Sequence, residues 1–286
     1  MTRDLRAQIG TAVGCDLVPL THDQKHNNTH FRGDRDGVPT LFIKVTDSPR
    51  SYTTEVGAHT LLHTRDLPTP TLHAHGDLGL NRHWLAYAWH DFTPFAATPE
   101  SVEEAGRLLG RLHTATRGES SPHLRTHDAI PNLIDAKIAL VAEFDAPLAR
   151  RIRALRDKLL STPAAAHLGD ERCLLHGDMG WRNLHLDADG SLWIFDFEHA
   201  AIGHPLLDFA KLWDRELDSP QVRSLFLDGY RKEQREVPID TAAIGAVRLW
   251  AAAGIFPYAR PRDDQDFEQH AYLILERLER EVSGRP

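Results

Sequence analysis

The stretch His176-Gly177-Asp178-Met179-Gly180-Trp181-Arg182-Asn183, followed after a short turn by Ile194-Phe195-Asp196-Phe197-Glu198, decides the fold of this 286-residue chain. Between its halves lie Leu184-His185-Leu186, the turn Asp187-Ala188-Asp189-Gly190 and a returning apolar segment, which together predict a β-hairpin in which Gly190 can take a positive φ. Because a hairpin brings its two ends together, we expect Asn183 and Asp196 to lie side by side, about one strand spacing (~5 Å) apart.

The polar residues of this stretch, Asp178, Asn183 and Asp196, are a carboxylate, an amide and a second carboxylate in that order. This order suits phosphoryl transfer from a nucleotide. The first carboxylate would orient a hydroxyl and accept its proton, while the amide oxygen and the second carboxylate would hold Mg²⁺ against the phosphates. A hairpin that only holds loops in place is the plainer alternative, but three spaced polar positions and a hairpin rarely coincide by accident.

The same stretch resembles the aminoglycoside phosphotransferase family of kinase-like small-molecule kinases. That family has His-Gly-Asp where protein kinases have His-Arg-Asp, an Asn five residues after the Asp, and Asp-Phe/Trp-Glu/Asp in place of Asp-Phe-Gly. The present chain has all three, and its segment 202–210 is similar to the family's Gly-x-Pro-x-x-Asp segment. The resemblance implies a catalytic Asp178, a metal site at Asn183 and Asp196, and ATP as the phosphoryl donor.

The order of the predicted elements indicates an α+β fold, because strands come first and helices predominate later. Three strands are predicted within residues 17–45, and a helix from Pro49 to about His63 follows, with Ser48 as its N-cap. With the resemblance, this predicts a bilobal protein-kinase-like fold. Its small antiparallel nucleotide-binding lobe would comprise residues 1–88, and its larger, mostly helical catalytic and substrate-binding lobe would comprise residues 89–286.

Further helices are predicted in the second part of the chain from apolar residues at helical spacing. One begins at Thr98, and a strand over Cys173–Leu175 precedes the catalytic stretch. The other helical stretches are predicted at about 131–160, 206–216, 219–233, 240–253 and 264–282.

A lysine and a glutamate of the first part complete the predicted nucleotide site. Lys44 lies near the end of the third strand, and Glu55 lies in the second turn of the following helix. In kinase folds such an ion pair places the lysine on the α and β phosphates. Taken alone, each residue could equally be an ordinary surface charge.

The remaining nucleotide contacts are implied by the resemblance. The stretch 83–90 is predicted to be an apolar strand that runs into a connecting segment, and the base would meet backbone groups at its end, from Ala88 to His90. The phosphate loop would lie at residues 20–28, ending in Asn28. Because this loop contains no glycine, GTP remains an alternative donor to ATP.

Composition limits the classes of partner and compartment. The net charge of −8 disfavours nucleic acid and is compatible with a cationic partner. Cys15 and Cys173 form neither a disulfide framework nor a CxxC metal motif. The N-terminus lacks the apolar core of a signal peptide, and no apolar run looks long enough to span a membrane. We therefore expect a cytoplasmic monomer without a membrane partner.

Acidic residues after the hairpin favour a cationic small-molecule acceptor. The resemblance makes this an antibiotic, either an aminoglycoside or a basic cyclic peptide of the viomycin/capreomycin type, whose phosphorylation would give resistance. Glu198 can assist the metal or the substrate. The other candidate acceptor residues are Asp214, Glu216, Asp218, Asp263, Asp264, Asp266 and Glu268.

Three other functions compete with this prediction. The first is a metabolite kinase of the same superfamily, acting on choline, ethanolamine, homoserine or an amino sugar. The second is a nucleotide-sensing pseudokinase, which is disfavoured because the lysine, both aspartates, the glutamate and the asparagine are all intact. The third is a metal-binding protein, which the scattered histidines disfavour because they lack ligand spacing.

Overall fold

The structure, a computed structural model, describes residues 2–20, 28–162, 168–169, 171–235, 237 and 239–284. The predicted phosphate loop, apart from Leu20 and Asn28, lies outside the described residues. The α+β class is confirmed. In chain order the elements are α1 (Thr2–Val13), β1 (Asp16–Leu20), β2 (Thr29–Arg35), β3 (Val38–Thr46), α2 (Pro49–Leu62), β4 (Leu72–Gly79), β5 (Arg82–Ala88), β6 (Thr93–Pro94), α3 (Pro99–Ala115), α4 (Ile130–Ala142), α5 (Ala146–Leu160), β7 (Cys173–Leu175), β8 (Leu184–Leu186), β9 (Leu192–Ile194), β10 (Ala201–Gly203), α6 (Phe209–Leu212), α7 (Pro220–Glu233), α8 (Thr241–Ala259) and α9 (Gln265–Ser283).

The chain forms two compact units that are not contiguous in sequence. Unit 1 consists of Met1–Ala96, Ser121–Arg125 and Trp181–Ala200. Unit 2 consists of Ala97–Ser120, Thr126–Gly180 and Ala201–Pro286. This grouping differs from a single division after residue 88, because the hairpin belongs to unit 1. The functional division into a nucleotide-binding lobe and a catalytic lobe stays a prediction.

Unit 1 is built on a five-stranded antiparallel sheet in the order β1-β2-β3-β5-β4. Its core includes the buried side chains of Phe31, Ile43 and Trp84, against which Ile9 of α1 packs. The sequence analysis missed β4. Its residues are alternately half-buried and exposed, and its His-Ala-His-Gly-Asp composition carries little strand propensity.

A second, three-stranded sheet of unit 1, in the order β6-β8-β9, contains the predicted hairpin. Gly190 takes a φ of +79°, as predicted. The Asp187 carboxylate closes the turn by accepting hydrogen bonds from the amides of Asp189 and Ser191 and from the indole of Trp193. The hairpin turn is therefore stabilised by hydrogen bonds from within the hairpin itself.

Unit 2 is mainly helical, and α3 and α7 approach each other at glycines. A Cβ at Gly106 would lie 1.9 Å from the carbonyl oxygen of Phe226, and one at Gly229 would lie 1.9 Å from that of Glu103. Only glycine allows the two backbones to come this close. Helix α3 also carries His113, described below.

Helix α8 forms much of the core of unit 2. The stretch Thr241–Arg262 is long and apolar enough to cross a membrane, which the sequence analysis overlooked, but 67% of its most apolar window is buried inside the protein. This burial indicates a core helix. Its neighbours include α4, α5 and α9.

Two predicted helices of unit 2 are corrected by the structure. The stretch 131–160 is two helices, α4 and α5, because the chain turns at residues 143–145 and Asp145 caps α5 by accepting from the amide of Leu148. The stretch 206–216 is a 3₁₀ turn, Pro205–Asp208, followed by the single-turn helix α6.

Candidate active site

Lys44 stands at the centre of a cluster of three carboxylates in unit 1. Its ammonium donates to Glu55 at 2.9 Å, to Asp196 at 2.7 Å and to Glu198 at 3.0 Å. Lys44 and Glu55 are buried, whereas Asp196 and Glu198 are partly exposed. We call these four residues the Lys44 cluster. The structure thus brings the predicted Lys44–Glu55 pair together.

Electrostatics in this cluster keep the lysine charged. Burial opposes its charge, but attraction to Glu55, Asp196 and Glu198 outweighs burial and raises the pKa of Lys44. The nearby His59 responds in the opposite direction. Its own burial and the Lys44 ammonium lower the pKa of His59 to about 4, so its imidazole is neutral at pH 7.

Tyr87 supports the cluster from β5, in a role that the sequence analysis missed. Its hydroxyl donates to Glu55 Oε1 at 2.7 Å, while Lys44 takes Glu55 Oε2. Both oxygens of this buried carboxylate are therefore engaged inside the protein. Tyr87 also lines the cavity described below.

Asp196 takes a backbone conformation that residues other than glycine seldom adopt. Its φ is +64°, in the left-handed region that non-glycine residues rarely occupy. Such backbone strain persists where the surrounding structure holds it, commonly at ligand sites. Here it aims a carboxylate with 38% exposure beside the Lys44 ammonium.

The cluster opens on a cavity of about 520 Å³ that is lined entirely by unit 1. Asn28, His90 and Asn183, predicted for nucleotide or metal binding, line it together with Lys44 and Asp196. Asn28 also donates to Glu198 at 3.3 Å. Oxygen atoms of Glu55, Asp196 and Glu198 lie within 4.8 Å of one another. Such an oxygen set suits a hard divalent cation, with Asp196 and Glu198 better placed than Glu55, whose two oxygens have other partners.

Aromatic side chains also line this cavity. Phe92 packs edge-to-face on Phe195 with ring centroids 4.8 Å apart, and His185 packs on Phe195 at 4.9 Å. Burial lowers the pKa of His185, so this imidazole stays neutral. A flat apolar surface of this kind can hold an aromatic ring such as a nucleobase.

Backbone hydrogen bonds restrict the predicted base contacts of residues 88–90. The amide of Ala88 donates to the carbonyl of Thr71 at 3.0 Å, and that of Trp89 donates to Thr40 at 2.9 Å. The Ala88 amide is therefore used within the protein and is withdrawn as a base donor. The predicted base contacts are therefore restricted to the carbonyl of Ala88 and the backbone of His90.

The predicted catalytic loop, residues 176–180, belongs to unit 2 and is held by Asp208. The Asp208 carboxylate accepts from the amide of His176 at 2.8 Å and from that of Gly177 at 2.7 Å. It also accepts from His113 Nε2 at 3.0 Å. Burial opposes ionisation of Asp208, but the hydrogen bond and charge of His113 outweigh it and lower its pKa. Buried Asp208 thus holds the loop through its backbone amides.

Asp178 itself is buried and has a basic partner that the sequence analysis missed. The ammonium of Lys211, on α6, lies 3.0 Å from Asp178 Oδ1 and donates to the carbonyl of Gly177 at 3.3 Å. Arg215 also acts on Asp178 through its charge, and it is paired with Glu216 at 2.6 Å. The one available sequence signal was a lysine three residues after Asp208.

The predicted acceptor carboxylates differ in their exposure and in their partners within the protein. The side chain of Asp214 is 2% exposed and forms two hydrogen bonds to Arg248, which removes it from the candidate acceptor residues. Asp264 caps α9, and Glu268 pairs with Arg260. Exposed positions are held by Asp218, Asp263, Asp264 and Asp266.

Comparison with known proteins gives the following matches. The family of phosphotransferase enzymes matches residues 16–239. No curated protein sequence matches significantly. Among solved structures, aminoglycoside phosphotransferase APH(4)-Ia is 13% identical with a TM-score of 0.71, over 97% of this chain and 98% of that one.

Two further solved structures are comparably similar. Choline kinase LicA from Streptococcus pneumoniae is 16% identical with a TM-score of 0.68, over 99% of both chains. Macrolide 2′-phosphotransferase MphH from Brachybacterium faecium is 15% identical with a TM-score of 0.68, over 95% of this chain and 98% of that one. At such identities the likeness establishes the fold, and it confirms the predicted kinase-like architecture.

Proposed function

Since the chain belongs to the phosphotransferase enzyme family, and so is a small-molecule phosphotransferase, we propose that it transfers the γ-phosphoryl group of ATP to a hydroxyl of a small antibiotic. The observation that carries the proposal is the Lys44 cluster, in which an intact lysine and its carboxylates open on a cavity that aromatic side chains also line. A chain that had lost nucleotide chemistry would have no reason to keep this arrangement. The proposal places the enzyme in the cytoplasm, where ATP is available.

In this proposal Asp178 is the group that handles the acceptor. Its carboxylate accepts a hydrogen bond from the substrate hydroxyl and orients it towards the γ-phosphorus. It takes the proton of the hydroxyl as the new O–P bond forms and the bond from the γ-phosphorus to the bridging oxygen breaks, which releases ADP. Asp208 supports this role by fixing the loop amides of His176 and Gly177. The loop is therefore held in place before substrate arrives, which reduces reorganisation during the reaction.

The nucleotide and its metal are assigned to residues of unit 1. Asn183 and Asp196 would hold Mg²⁺, with Glu198 as a further oxygen ligand, and Lys44 would meet the α and β phosphates. Bound Mg²⁺ neutralises phosphate charge during transfer. Lys44 now binds Asp196 and Glu198, so its ammonium already lies beside the proposed metal ligands. Glu55 and Tyr87 keep the lysine in place.

Adenine is the proposed base. APH(4)-Ia has been solved with ADP and with AMP-PNP, each together with hygromycin B. These complexes favour an adenine nucleotide here and offer no support for GTP. Phe92, His185 and Phe195 would face the base, and His90 would supply a backbone contact.

An antibiotic is the first candidate acceptor because the similar structures include aminoglycoside, spectinomycin and macrolide phosphotransferases. Glu216 and the exposed carboxylates Asp218, Asp263 and Asp266 support a cationic acceptor, such as an aminoglycoside or a basic cyclic peptide. A metabolite kinase is the second candidate. The observation in its favour is local charge, because Lys211 and Arg215 beside Asp178 balance the nearby acids.

A panel assay tests the function. Purified protein with Mg²⁺ and ATP would be incubated with aminoglycosides, spectinomycin, macrolides, viomycin, choline, ethanolamine and homoserine, and phosphorylated products would be detected by mass spectrometry. We expect phosphorylation of at least one antibiotic. Turnover of an amino alcohol alone would transfer the assignment to the metabolite kinase, and no product from any compound would count against the proposal.

The assay has a matched pair of variants. Asp178→Ala should lower kcat by ~10²–10⁴-fold, because it removes a positioned base. Asp228→Ala, which removes an exposed carboxylate on α7, should leave kcat unchanged. Near-normal turnover by folded Asp178→Ala would contradict the role of Asp178.

A further inference from the structure

We propose that Lys211 is a positioning residue, which holds the Asp178 carboxylate in the orientation and charge state needed to receive the acceptor hydroxyl. The inference rests on the proposed role of Asp178. Its basis is a double contact. The Lys211 ammonium bonds both Asp178 Oδ1 at 3.0 Å and the carbonyl of Gly177 at 3.3 Å. Two contacts on adjacent residues fix the side chain and the backbone of the loop together.

The position of Lys211 in the fold strengthens this inference. Lys211 lies three residues after Asp208, which binds the amides of His176 and Gly177. Helix α6, which carries Lys211, is anchored by the buried side chains of Phe209 and Leu212. The segment 208–211 therefore contacts the loop in two ways. Asp208 binds the backbone amides of the loop, and Lys211 binds the side chain of Asp178.

Several other charged or titratable groups face this loop. Arg215 raises the positive potential at Asp178, and its partner Glu216 offsets part of that potential. The Arg215–Glu216 pair lies against Gly180, where a Cβ would come within 2.8 Å of each of the two side chains. His176 contributes Nδ1, which accepts from the Asp178 amide at 3.3 Å. Lys211 is the group that places a positive charge within hydrogen-bond distance of the Asp178 carboxylate, at 3.0 Å from Oδ1.

The exposure of Lys211 separates a positioning role from a structural one. Its side chain is 50% exposed, so its ion pair contributes little to folding. An acceptor oxygen bonded to Asp178 would still lie within ~8 Å of the ammonium, inside the range of unscreened charge. Loss of Lys211 should therefore change the behaviour of Asp178 far more than the stability of unit 2.

The test compares Lys211→Met, Lys211→Gln and Lys211→Arg with Lys232→Met. Lys232 is a suitable control because it is similarly exposed and pairs with a carboxylate, Glu103, on α3. With the acceptor found by the panel, Lys211→Met and Lys211→Gln should lower kcat by ~10–100-fold, since small misplacement of a reacting group has effects of that size. The KM for ATP should not change. Lys211→Arg should recover part of the rate, and Lys232→Met should match wild type.

A second readout does not depend on activity. Carbon-13 NMR of protein labelled at aspartate Cγ, with the Asp178 signal identified by its absence in Asp178→Asn, would follow ionisation of this carboxylate. In Lys211→Met the Asp178 signal should titrate at higher pH than in wild type, because an adjacent cation favours the carboxylate form. Lys232→Met should leave it unchanged.

The outcomes separate the inference from the proposed function. An unmoved Asp178 titration, or an unchanged kcat in both Lys211→Met and Lys211→Gln, would overturn the inference while leaving the transferase assignment intact. A moved titration together with full activity of Asp178→Ala would instead overturn the proposed role of Asp178. A moved titration, a reduced kcat and partial rescue by arginine would support the inference.

Discussion

The Lys44 cluster and the Asp178 loop each form an ion pair between a lysine and a carboxylate, but the two lysines, Lys44 and Lys211, differ in burial. The Lys44 side chain is 6% exposed and pairs with Glu55, Asp196 and Glu198, whereas that of Lys211 is 50% exposed and pairs with Asp178. A buried charge that loses its partner is strongly destabilising, and an exposed one is not. Similar contacts in the two units should therefore respond very differently to mutation.

The two sites also differ in how they are held. The Lys44 cluster is held by side chains, with Tyr87 and Lys44 taking both oxygens of Glu55. The Asp178 loop is held through its backbone, by the carboxylate of Asp208. A site made of side-chain ion pairs can exchange a partner for a ligand. A loop held by its amides keeps its backbone shape while its side chain, here that of Asp178, is left for the proposed reaction.

The largest expected effect breaks the buried pair. Lys44→Met should lower the free energy of unfolding by ~3–5 kcal/mol, because it leaves Glu55 buried without its cation. Lys211→Met should lower it by less than ~1 kcal/mol. Urea denaturation followed by circular dichroism would measure both. The double variant Lys44→Met/Glu55→Gln should recover part of the loss, and equal losses in the two single variants would refute the contrast.

The next largest effect is a pH dependence of the free energy of unfolding, caused by His59 in unit 1. His59 is buried and packs on Tyr87 and Phe197. Its pKa of about 4 in the folded protein lies below its ordinary value of 6.5. The unfolded chain therefore binds more protons between these values, and stability falls as pH drops from 6.5 towards 4. His59 should account for about 3 kcal/mol of this fall.

Variants of His59, on α2, and of His63, the residue that follows α2, would isolate the His59 contribution. Wild type, His59→Gln and His63→Gln would be unfolded by urea at pH 7.5, 5.5 and 4.5. The loss on acidification should be smaller in His59→Gln than in wild type, while the exposed His63→Gln should follow wild type. If all three proteins lose stability in parallel, His59 does not titrate as described.

A smaller effect concerns ligand exchange at the Lys44 cluster. Asp196→Asn should weaken binding of Mg²⁺-ATP by ~10–100-fold, because one interaction with a charged group contributes ~1.5–3 kcal/mol. Asp189→Asn, in the exposed hairpin turn, is the control. Isothermal titration calorimetry with and without Mg²⁺ would measure the change. An affinity equal to wild type would exclude Asp196 as a metal ligand.

The smallest effects are expected from exposed carboxylates of unit 2. Neutralising Asp263, Asp264 and Asp266 together should raise KM for a basic antibiotic only modestly, since exposed pairs contribute ~0.2–1 kcal/mol each. High salt should reduce the difference by screening. Asp264 also caps α9 through the amide of Phe267, so a variant restricted to Asp263 and Asp266 controls for helix stability. A KM that stays constant at both salt concentrations would remove the cationic-acceptor prediction.

Features with a local cause were predictable from the sequence. Ser48 caps α2, and Gly190 closes the hairpin turn, because each needs only its immediate neighbours. The Lys44–Glu55 pair is eleven residues apart, and the local sequence alone does not specify the contact. It was predictable because the family resemblance implied it.

Features formed by distant segments were not predictable. Lys211 is 33 residues from Asp178, and Tyr87 is 32 residues from Glu55, so no local pattern connects them. Asp214 looked like an open acidic group because its partner, Arg248, comes 34 residues later. Strand β4 was missed since its half-exposed, polar composition resembles a loop.

The passage of the chain between the two units restricts how this protein can be divided. The backbone leaves unit 2 after Gly180 and returns to it at Ala201, so the hairpin is an insertion from the viewpoint of unit 2. A fragment ending at residue 96 would lack β8, β9 and the carboxylates of Asp196 and Glu198. No single cut yields two complete folding units. Fragment complementation, domain exchange with a relative, or a fusion that borrows only the proposed nucleotide site would each have to include residues 181–200.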